Sequence, residues 1–415
     1  MVETFYKMKR LVSKVLKSIV FITLLLVGCV FIAFNRKSAE NYVLLVSFDA
    51  FRWDYPAIFN TPNLNQLAKE GVKAKKMYSS FPTNTFPNHY SMATGLYPDH
   101  HGLINNNFYA PELNLYYKMS DRNSVENPAF YGGEPMWNTA EKQRLKAATF
   151  YWVGSETPIE GMQPSYWKKY DGSVDFVARV DSVVKWFSYP KDKRPRLVNL
   201  YFEEPDATSH TFGPVSEETR RVAERLDSLL GVLRTKLSVL PIADKINVIV
   251  VSDHGMASIS PDKYINLSEM IPTRMVSSVI GGNPVSLLRP AEGKIDSLLS
   301  LINQITGVKA WRKSELPAKW HYGTHPRIPE VVIVADSSWS IGFSTNPPLS
   351  KGAHGYDNMN PELYSIFYAA GPAFKRNHIL EELNNVDIYG IVCKILNLKP
   401  APNDGNPDVI KKALK

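Results

Sequence analysis

Cysteine is almost missing from this chain: 415 residues contain two, Cys29 and Cys393. Cys29 lies in an apolar N-terminal run, which makes an intramolecular bridge to Cys393 implausible, so the folded part is expected to carry no disulfide staple. That argues against a disulfide-stapled secreted scaffold, and the chain must rely on its core. A strong charge imbalance is missing too. The net charge of +8 is concentrated in residues 1–37, which hold seven basic residues against Glu3; the other 378 hold 41 basic and 39 acidic residues. Near balance of that kind excludes a nucleic-acid-coating surface. There is also no internal repeat, no low-complexity tract and no linker that separates two domains. One large domain, residues 38–415, is therefore expected after an N-terminal segment of residues 1–37.

What is present is ordinary in bulk, with 44% hydrophobic and 21% charged residues in a chain long enough for a large core. Residues 18–34 (SIVFITLLLVGCVFIAF) carry no charge. Seventeen residues rising about 1.5 Å each span about 25 Å, at the short end for a bilayer core of about 30 Å. Lys17 and Arg36 can snorkel outward to cover the difference. Five basic residues ahead of the run favour a cytoplasmic N-terminus, which predicts an exported domain after residue 37. Three readings compete: an uncleaved signal-anchor, a cleaved signal peptide, and a lipoprotein signal with Cys29 of Leu26-Val-Gly-Cys29 as the lipidated residue. The apolar stretch 30–34 after that cysteine favours the signal-anchor. Membrane association is expected through this segment; the oligomeric state is left open.

From Asn41 strands alternate with helices. Residues 43–48 (VLLVSF) form a continuous apolar run ending at Asp49, the pattern of a buried parallel strand. Thr61-Pro62 opens a helix through Leu64, Leu67 and Ala68 to Gly71. Further strands are predicted at 147–152, 197–202, 247–252, 331–335 and 365–370. A long amphipathic helix starts near Ser216, with Val222, Leu226, Leu229, Leu230 and Leu233 on one face. This alternation predicts an α/β fold with a mostly parallel central sheet and helices on both faces. Residues 262–350, less regular and richer in Pro and Gly, are expected to form a small inserted lobe.

Residues 81–95 (FPTNTFPNHYSMATG) place Thr85 at or just before the N-terminus of a short helix read as following Pro87 and ending at Gly95. Unpaired N–H groups and the positive dipole end favour an anion there, where a hydroxyl can attack a phosphoryl group. Taken alone, Thr85 reads more simply as an N-cap. The rest of the chain changes that weighting. Asp49 ends the first strand, Asp206 follows LVNLYF by a few residues, and Asp253 ends NVIVVS. Residues just beyond the carboxyl ends of parallel strands converge on one crevice. His254 adjoins Asp253, His210 follows Asp206 by four residues, and His354 sits in the glycine-flanked loop 351–356. Each aspartate alone reads as a cap, and each histidine alone as a hydrogen-bonded core residue. As a set they are six donors, too many for one tetrahedral zinc and about right for two divalent ions. Thr85 adds a seventh.

These segments resemble the type I phosphodiesterase/nucleotide pyrophosphatase family of the alkaline phosphatase superfamily. The matching stretches are VSFDAFRWDY (46–55), FPTNTFPNHYSMATGLYPDHHG (81–102), EEPDATSHTFGP (203–214), VVSDHGM (250–256) and GAHGYDN (352–358). The resemblance implies an alkaline-phosphatase-like core and two Zn²⁺ ions, other divalent ions not being excluded. It implies that Asp206, His210 and His354 hold one ion and that Asp49, Asp253, His254 and the nucleophile Thr85 hold the other. Asn106 matches the family asparagine that contacts a phosphoryl oxygen. Phe86 and Tyr170 match positions that stack a nucleotide base, and Trp152 is read as a further wall. Ser209 stands where the family usually has Gly. His89, His100, His101, His321, His325 and His378 match no ligand position and are read as structural or exposed. The implied reaction is hydrolysis of nucleotide phosphodiester or pyrophosphate bonds through a phosphothreonine. Competing readings are a lipid-headgroup phosphodiesterase, a phosphomonoesterase, and a non-catalytic surface binding module. A sulfatase is disfavoured because the nucleophile loop offers neither Cys nor a suitable Ser.

Overall fold

A computed structural model describes residues 1–6, 8–10 and 40–415. It divides into two compact units, Met1–Glu40 and Asn41–Lys415. The expected membrane segment 18–34, with Cys29, lies outside the described residues. Among the described residues no helix is long and apolar enough to cross a membrane.

The second unit is built on an eight-stranded sheet. Its strands are β1 (Tyr42–Phe48), β2 (Val72–Ala74), β3 (Ala147–Phe150), β4 (Tyr166–Lys168), β5 (Leu197–Phe202), β6 (Ile246–Val251), β7 (Phe367–Ala370) and β8 (His378–Leu380). Their spatial order is β8-β2-β7-β6-β1-β5-β3-β4. From β6 across to β4 every pairing is parallel. β7 alone runs against both of its neighbours. Every residue of β1 is buried, with Val43 and Leu45 in one core and Leu44 and Val46 in the other. That two-sided burial is why β1 reads as an unbroken apolar run.

Helices cover both faces of this sheet. α1 (Pro62–Glu70), α3 (Phe176–Phe187) and α4 (Glu217–Ser238) bury apolar residues in one core. α2 (Thr85–Thr94) and α5 (Asp387–Leu396) bury theirs in the other. On α4, Leu226, Leu229, Leu230 and Leu233 are buried, each stabilising by about 1.5–3 kcal/mol. Thr61 does not cap α1 through its side chain. The carboxylate of Asp227 on α4 does so instead, accepting from the N–H of Asn63 at 3.0 Å and of Leu64 at 2.8 Å.

Residues 262–350 are more regular than their Pro and Gly content suggests. They hold an antiparallel sheet of Val276–Gly281, Val285–Pro290, Val331–Ala335 and Val308–Arg312, in that spatial order, over its own apolar core. The strand predicted at 331–335 belongs to this sheet and not to the central one.

Candidate active site at the carboxyl edge of the sheet

Because β1, β5 and β6 are parallel neighbours, the residues that follow them leave the sheet on one edge. Asp49, Asp206 and Asp253 therefore meet there. His354 arrives by another route. β7 is antiparallel to β6, with Phe367 opposite Val251, so the chain preceding β7 lies at the edge where β6 ends. A short pairing of Gly352–Ala353 with Ala257–Ser258 then sets the His354 loop beside the His254 loop. Gly352 permits this approach: a Cβ there would lie 2.6 Å from the carbonyl oxygen of Ser209. The close contact is thus made by Gly352 against the Ser209 backbone, and the Ser209 side chain is buried.

The donors converge. Asp49, Asp253 and His254 offer atoms within 4.8 Å of one another, and so do Asp206, His254 and His354. His210 joins through Asp206, its Nε2 lying 3.5 Å from Oδ1. His254 stands between the groups, with its ring stacked 3.8 Å from that of His354. Thr85 is the first residue of α2, and its Oγ1 is 3.2 Å from His254 Nε2. The helix thus begins two residues before the predicted start at Pro87. Pro87 falls in its first turn, where a missing N–H costs nothing. Gly95, at φ 70°, closes the helix as expected.

Two features prepare these groups for cations. Each histidine directs Nδ1 to a backbone carbonyl: His210 to Gly352 at 2.8 Å, His254 to Gly255 at 2.8 Å, His354 to Thr83 at 2.9 Å. A carbonyl only accepts, so Nδ1 carries a proton, and Nε2 is the nitrogen turned to the crevice, where its lone pair can be offered to a cation. Each aspartate also leaves one buried oxygen without a hydrogen-bond partner: Asp49 Oδ1, Asp206 Oδ1 and Asp253 Oδ2. Buried carboxylate oxygens normally find donors. These three instead face Nε2 atoms, at 3.6 Å for Asp49 to His254, 3.5 Å for Asp206 to His354 and 3.1 Å for Asp253 to His254. Carboxylate and imidazole without thiolate suit zinc or another divalent ion, and the residues fit such a pair.

Crowded carboxylates are also electrostatically strained. Burial, then Asp253 and Asp206, push Asp49 well above the usual carboxylate range. Burial raises Asp206 as well. For Asp253 burial acts in the same direction, but the imidazoles of His254 and His89 hold its carboxyl well below that range. Burial, then His254 and His210, drive His354 far below an ordinary imidazole. Positive charge placed between these groups would favour ionised aspartates and unprotonated Nε2 atoms.

The remaining predicted residues divide. Asn106 accepts the Phe86 N–H on Oδ1 at 2.9 Å, beside Thr85, so its Nδ2 is the end left to donate. Its neighbour Asn105 instead ties Asn84 Nδ2 at 2.8 Å. Phe86 is half-buried, with its ring 6.2 Å from that of Tyr117. Tyr170 is 42% exposed, edge-on to Tyr151 at 5.1 Å, and near enough to Asp49 for that charge to help raise its phenol after burial and Glu203. Trp152 is corrected. It is 1% exposed, and its indole N–H donates to the His89 carbonyl at 3.0 Å, so it is core beneath α2 and offers no face for stacking.

Sequence reading missed the buried support. His89, one turn after Thr85 on α2, holds Ser47 Oγ at 2.8 Å and the Thr85 carbonyl at 2.9 Å. Its four-residue spacing from Thr85 was the available signal. Tyr201 donates to Asp49 Oδ2 at 2.6 Å, and the N–H of Ala50 donates to Asp253 Oδ1 at 3.1 Å. Ala50 adopts φ 57°, a conformation the sequence does not announce.

Residues 43–357 match the family model for type I phosphodiesterase / nucleotide pyrophosphatase. The chain belongs to that family. It is 37% identical over 389 residues to venom phosphodiesterase CdcPDE of Crotalus durissus collilineatus, covering 91% of this chain and 47% of the relative. It is equally identical to human ectonucleotide pyrophosphatase/phosphodiesterase family member 1, covering 90% of this chain and 42% of that protein. The chain spans under half the length of these curated relatives. Among solved structures, murine ectonucleotide pyrophosphatase/phosphodiesterase 5, in an inactive threonine-to-alanine form complexed with AMP, superposes with a TM-score of 0.86 at 33% identity. That match covers 90% of this chain and 100% of the other. The mixed α/β fold with its large, mostly parallel sheet is the fold of this family.

Proposed function

We propose that the chain hydrolyses nucleotide phosphodiester or pyrophosphate bonds, releasing nucleoside monophosphates through a covalent phosphothreonine at Thr85. The observation that carries this reading is the set of three histidines with Nδ1 tied to carbonyls and three aspartates with one orphaned oxygen each, gathered around one threonine hydroxyl. Asp206, His210 and His354 would hold one Zn²⁺, and Asp49, Asp253, His254 and Thr85 another. Bound there, the ions supply Lewis acidity that lowers the hydroxyl pKa and neutralises charge on phosphoryl oxygens.

This chain's own residues do the rest. Thr85 Oγ1 attacks phosphorus in line, the P–O bond to the leaving group breaks, and that oxygen departs with its electron pair. The Thr85 proton goes to solvent. Water then hydrolyses the phosphothreonine, releasing the nucleoside monophosphate and restoring the hydroxyl. Asn106, anchored through Oδ1, donates from Nδ2 to a non-bridging oxygen, and the first-turn amides of α2 add to that electrostatic support. Phe86 and Tyr170 would hold the base. The inactive threonine variant and bound AMP in the solved relative support both assignments. The words venom and ectonucleotide in the relatives' names support an exported catalytic unit, which residues 18–34 would anchor to the membrane.

The test combines elemental analysis of the purified chain with a substrate panel. We expect about two zinc ions per chain and faster turnover of a nitrophenyl-nucleotide diester than of nitrophenyl phosphate. Preference for the monoester or for a lipid-headgroup diester overturns the nucleotide assignment.

A further inference from the structure

We propose that Tyr201 is a positioning residue that selects which oxygen of Asp49 is offered to a metal ion. The inference rests on the metal reading above and goes beyond it, since Tyr201 is not itself a ligand in that reading.

The placement follows from the sheet. Tyr201 on β5 lies directly opposite Ser47 on β1. Side chains alternate along a strand, so Ser47 points to the face that carries Val43 and Leu45, and Asp49 follows two residues later on the same side. Tyr201, two strand positions after Asn199 and four after Leu197, shares that face by alternation and meets His89 of α2 there, while also packing against the second core. The phenol is thereby aimed along the sheet surface at the carboxylate just past the end of β1. Its hydroxyl donates to Asp49 Oδ2 at 2.6 Å. The other oxygen, Oδ1, is buried, has no hydrogen-bond partner and lies 3.6 Å from His254 Nε2.

A carboxylate can turn about its last bond and exchange its oxygens, or present both. Tyr201 removes that freedom, because turning Asp49 would break a short hydrogen bond. Asp253 is arranged in a similar manner, with Oδ1 held by the Ala50 N–H and Oδ2 without a hydrogen-bond partner, 3.1 Å from His254 Nε2 and 3.4 Å from His89 Nδ1. In each case one oxygen is fixed from beneath and the other is directed into the crevice. The difference lies in the donor. Asp253 is held by a main-chain N–H, which every substitution except proline keeps, whereas Asp49 is held by one side-chain hydroxyl.

The phenol ring is itself kept in place. The His89 imidazole packs edge-on against it, with ring centres 5.0 Å apart and planes at 89°. His89 is pinned in turn by Ser47 and the Thr85 carbonyl. The orientation of Asp49 and the position of the nucleophile's turn therefore share one buried support.

Partners of this kind commonly contribute 10- to 100-fold to metal affinity. The experiment compares wild type with Tyr201→Phe, which keeps the ring and deletes only the hydroxyl. Zinc affinities of both full-length proteins are measured by chelator competition, together with the absorption spectrum after cobalt substitution and the melting temperature of the metal-free forms. The expected result is that Tyr201→Phe takes up one ion normally and the second about 10- to 100-fold more weakly. The cobalt spectrum should change, metal-free melting should remain close to wild type, and activity should recover partly with excess zinc. Unchanged affinities and spectrum in Tyr201→Phe, beside a wild type that loads two ions, overturn the role of Tyr201 alone. A wild type that loads no ion overturns the metal reading itself. Loss of metal-free stability in step with affinity would assign Tyr201 to packing and also overturn the proposal.

Discussion

Thr85 Oγ1 lies 3.2 Å from His254 Nε2, and His254 Nδ1 is bound to the Gly255 carbonyl. The hydroxyl thus faces the ring nitrogen that is not tied to the main chain. Two elements far apart in sequence create this pair, the start of α2 and the residues after β6. Both are buried, so their relation is set by the core and not by a mobile surface loop.

Replacing Thr85 by Ala removes the attacking oxygen while leaving a residue that suits the first turn of a helix. Turnover should fall by roughly a thousandfold or more, with zinc content staying near two ions per chain. Steady-state rates and elemental analysis check this together. Substantial residual turnover rules Thr85 out as the nucleophile.

Tyr170 stands exposed enough to take a stacking partner. Stacking a base is worth about 1–3 kcal/mol, so Tyr170→Ala should raise KM for nucleotides by roughly 5- to 150-fold. A small aliphatic-phosphate diester should be nearly unaffected. Equal losses on the two substrates refute base stacking.

The Asp227 carboxylate receives two backbone N–H groups of α1 and Asn63 Nδ2 at 2.9 Å. Asp227→Ala leaves those donors unmet and should destabilise the fold by about 1–3 kcal/mol. Urea unfolding midpoints report the change. Specific activity of the folded fraction should hold steady, since the site is built from other elements.

His101 is fully buried, accepts the Leu103 N–H on Nδ1 at 3.1 Å and meets Ser91 Oγ through Nε2 at 3.0 Å. Burial lowers its pKa to about 3 from 6.5. Between those values the unfolded chain binds the extra proton, so stability is complete above about pH 6.5 and declines as pH falls toward 3. The slope contributed by this one group approaches 1.4 kcal/mol per pH unit, roughly. Urea midpoints at pH 7.5 and pH 5 should show a shallower pH dependence in His101→Asn than in wild type; parallel dependences refute the assignment.

Much of this was readable from residue order. Runs such as VLLVSF announce buried strands because both faces of a parallel sheet are covered, and the aspartates that end them mark the ligand edge. What stayed hidden depends on contacts distant in sequence. The reversal of β7 leaves no trace in its own four apolar residues, yet it explains how His354 reaches the site. Trp152 looked like a wall because aromatics near a nucleotide site invite that reading; only the packing beneath α2 reveals it as core. Tyr201 was passed over because its position at the end of an apolar strand looks like any other half-buried tyrosine.

The three imidazoles are oriented towards peptide carbonyls, and this shapes how the protein can vary. Side chains beside His254 and His354 can be exchanged during divergence or engineering without losing that aim, whereas His210 Nδ1 also meets the Ser350 hydroxyl at 3.3 Å. A single inserted or deleted residue between Lys351 and Gly355 would carry two of those carbonyl-to-ring registers out of alignment at once. Length in that loop is therefore the more tightly constrained property, and composition the freer one.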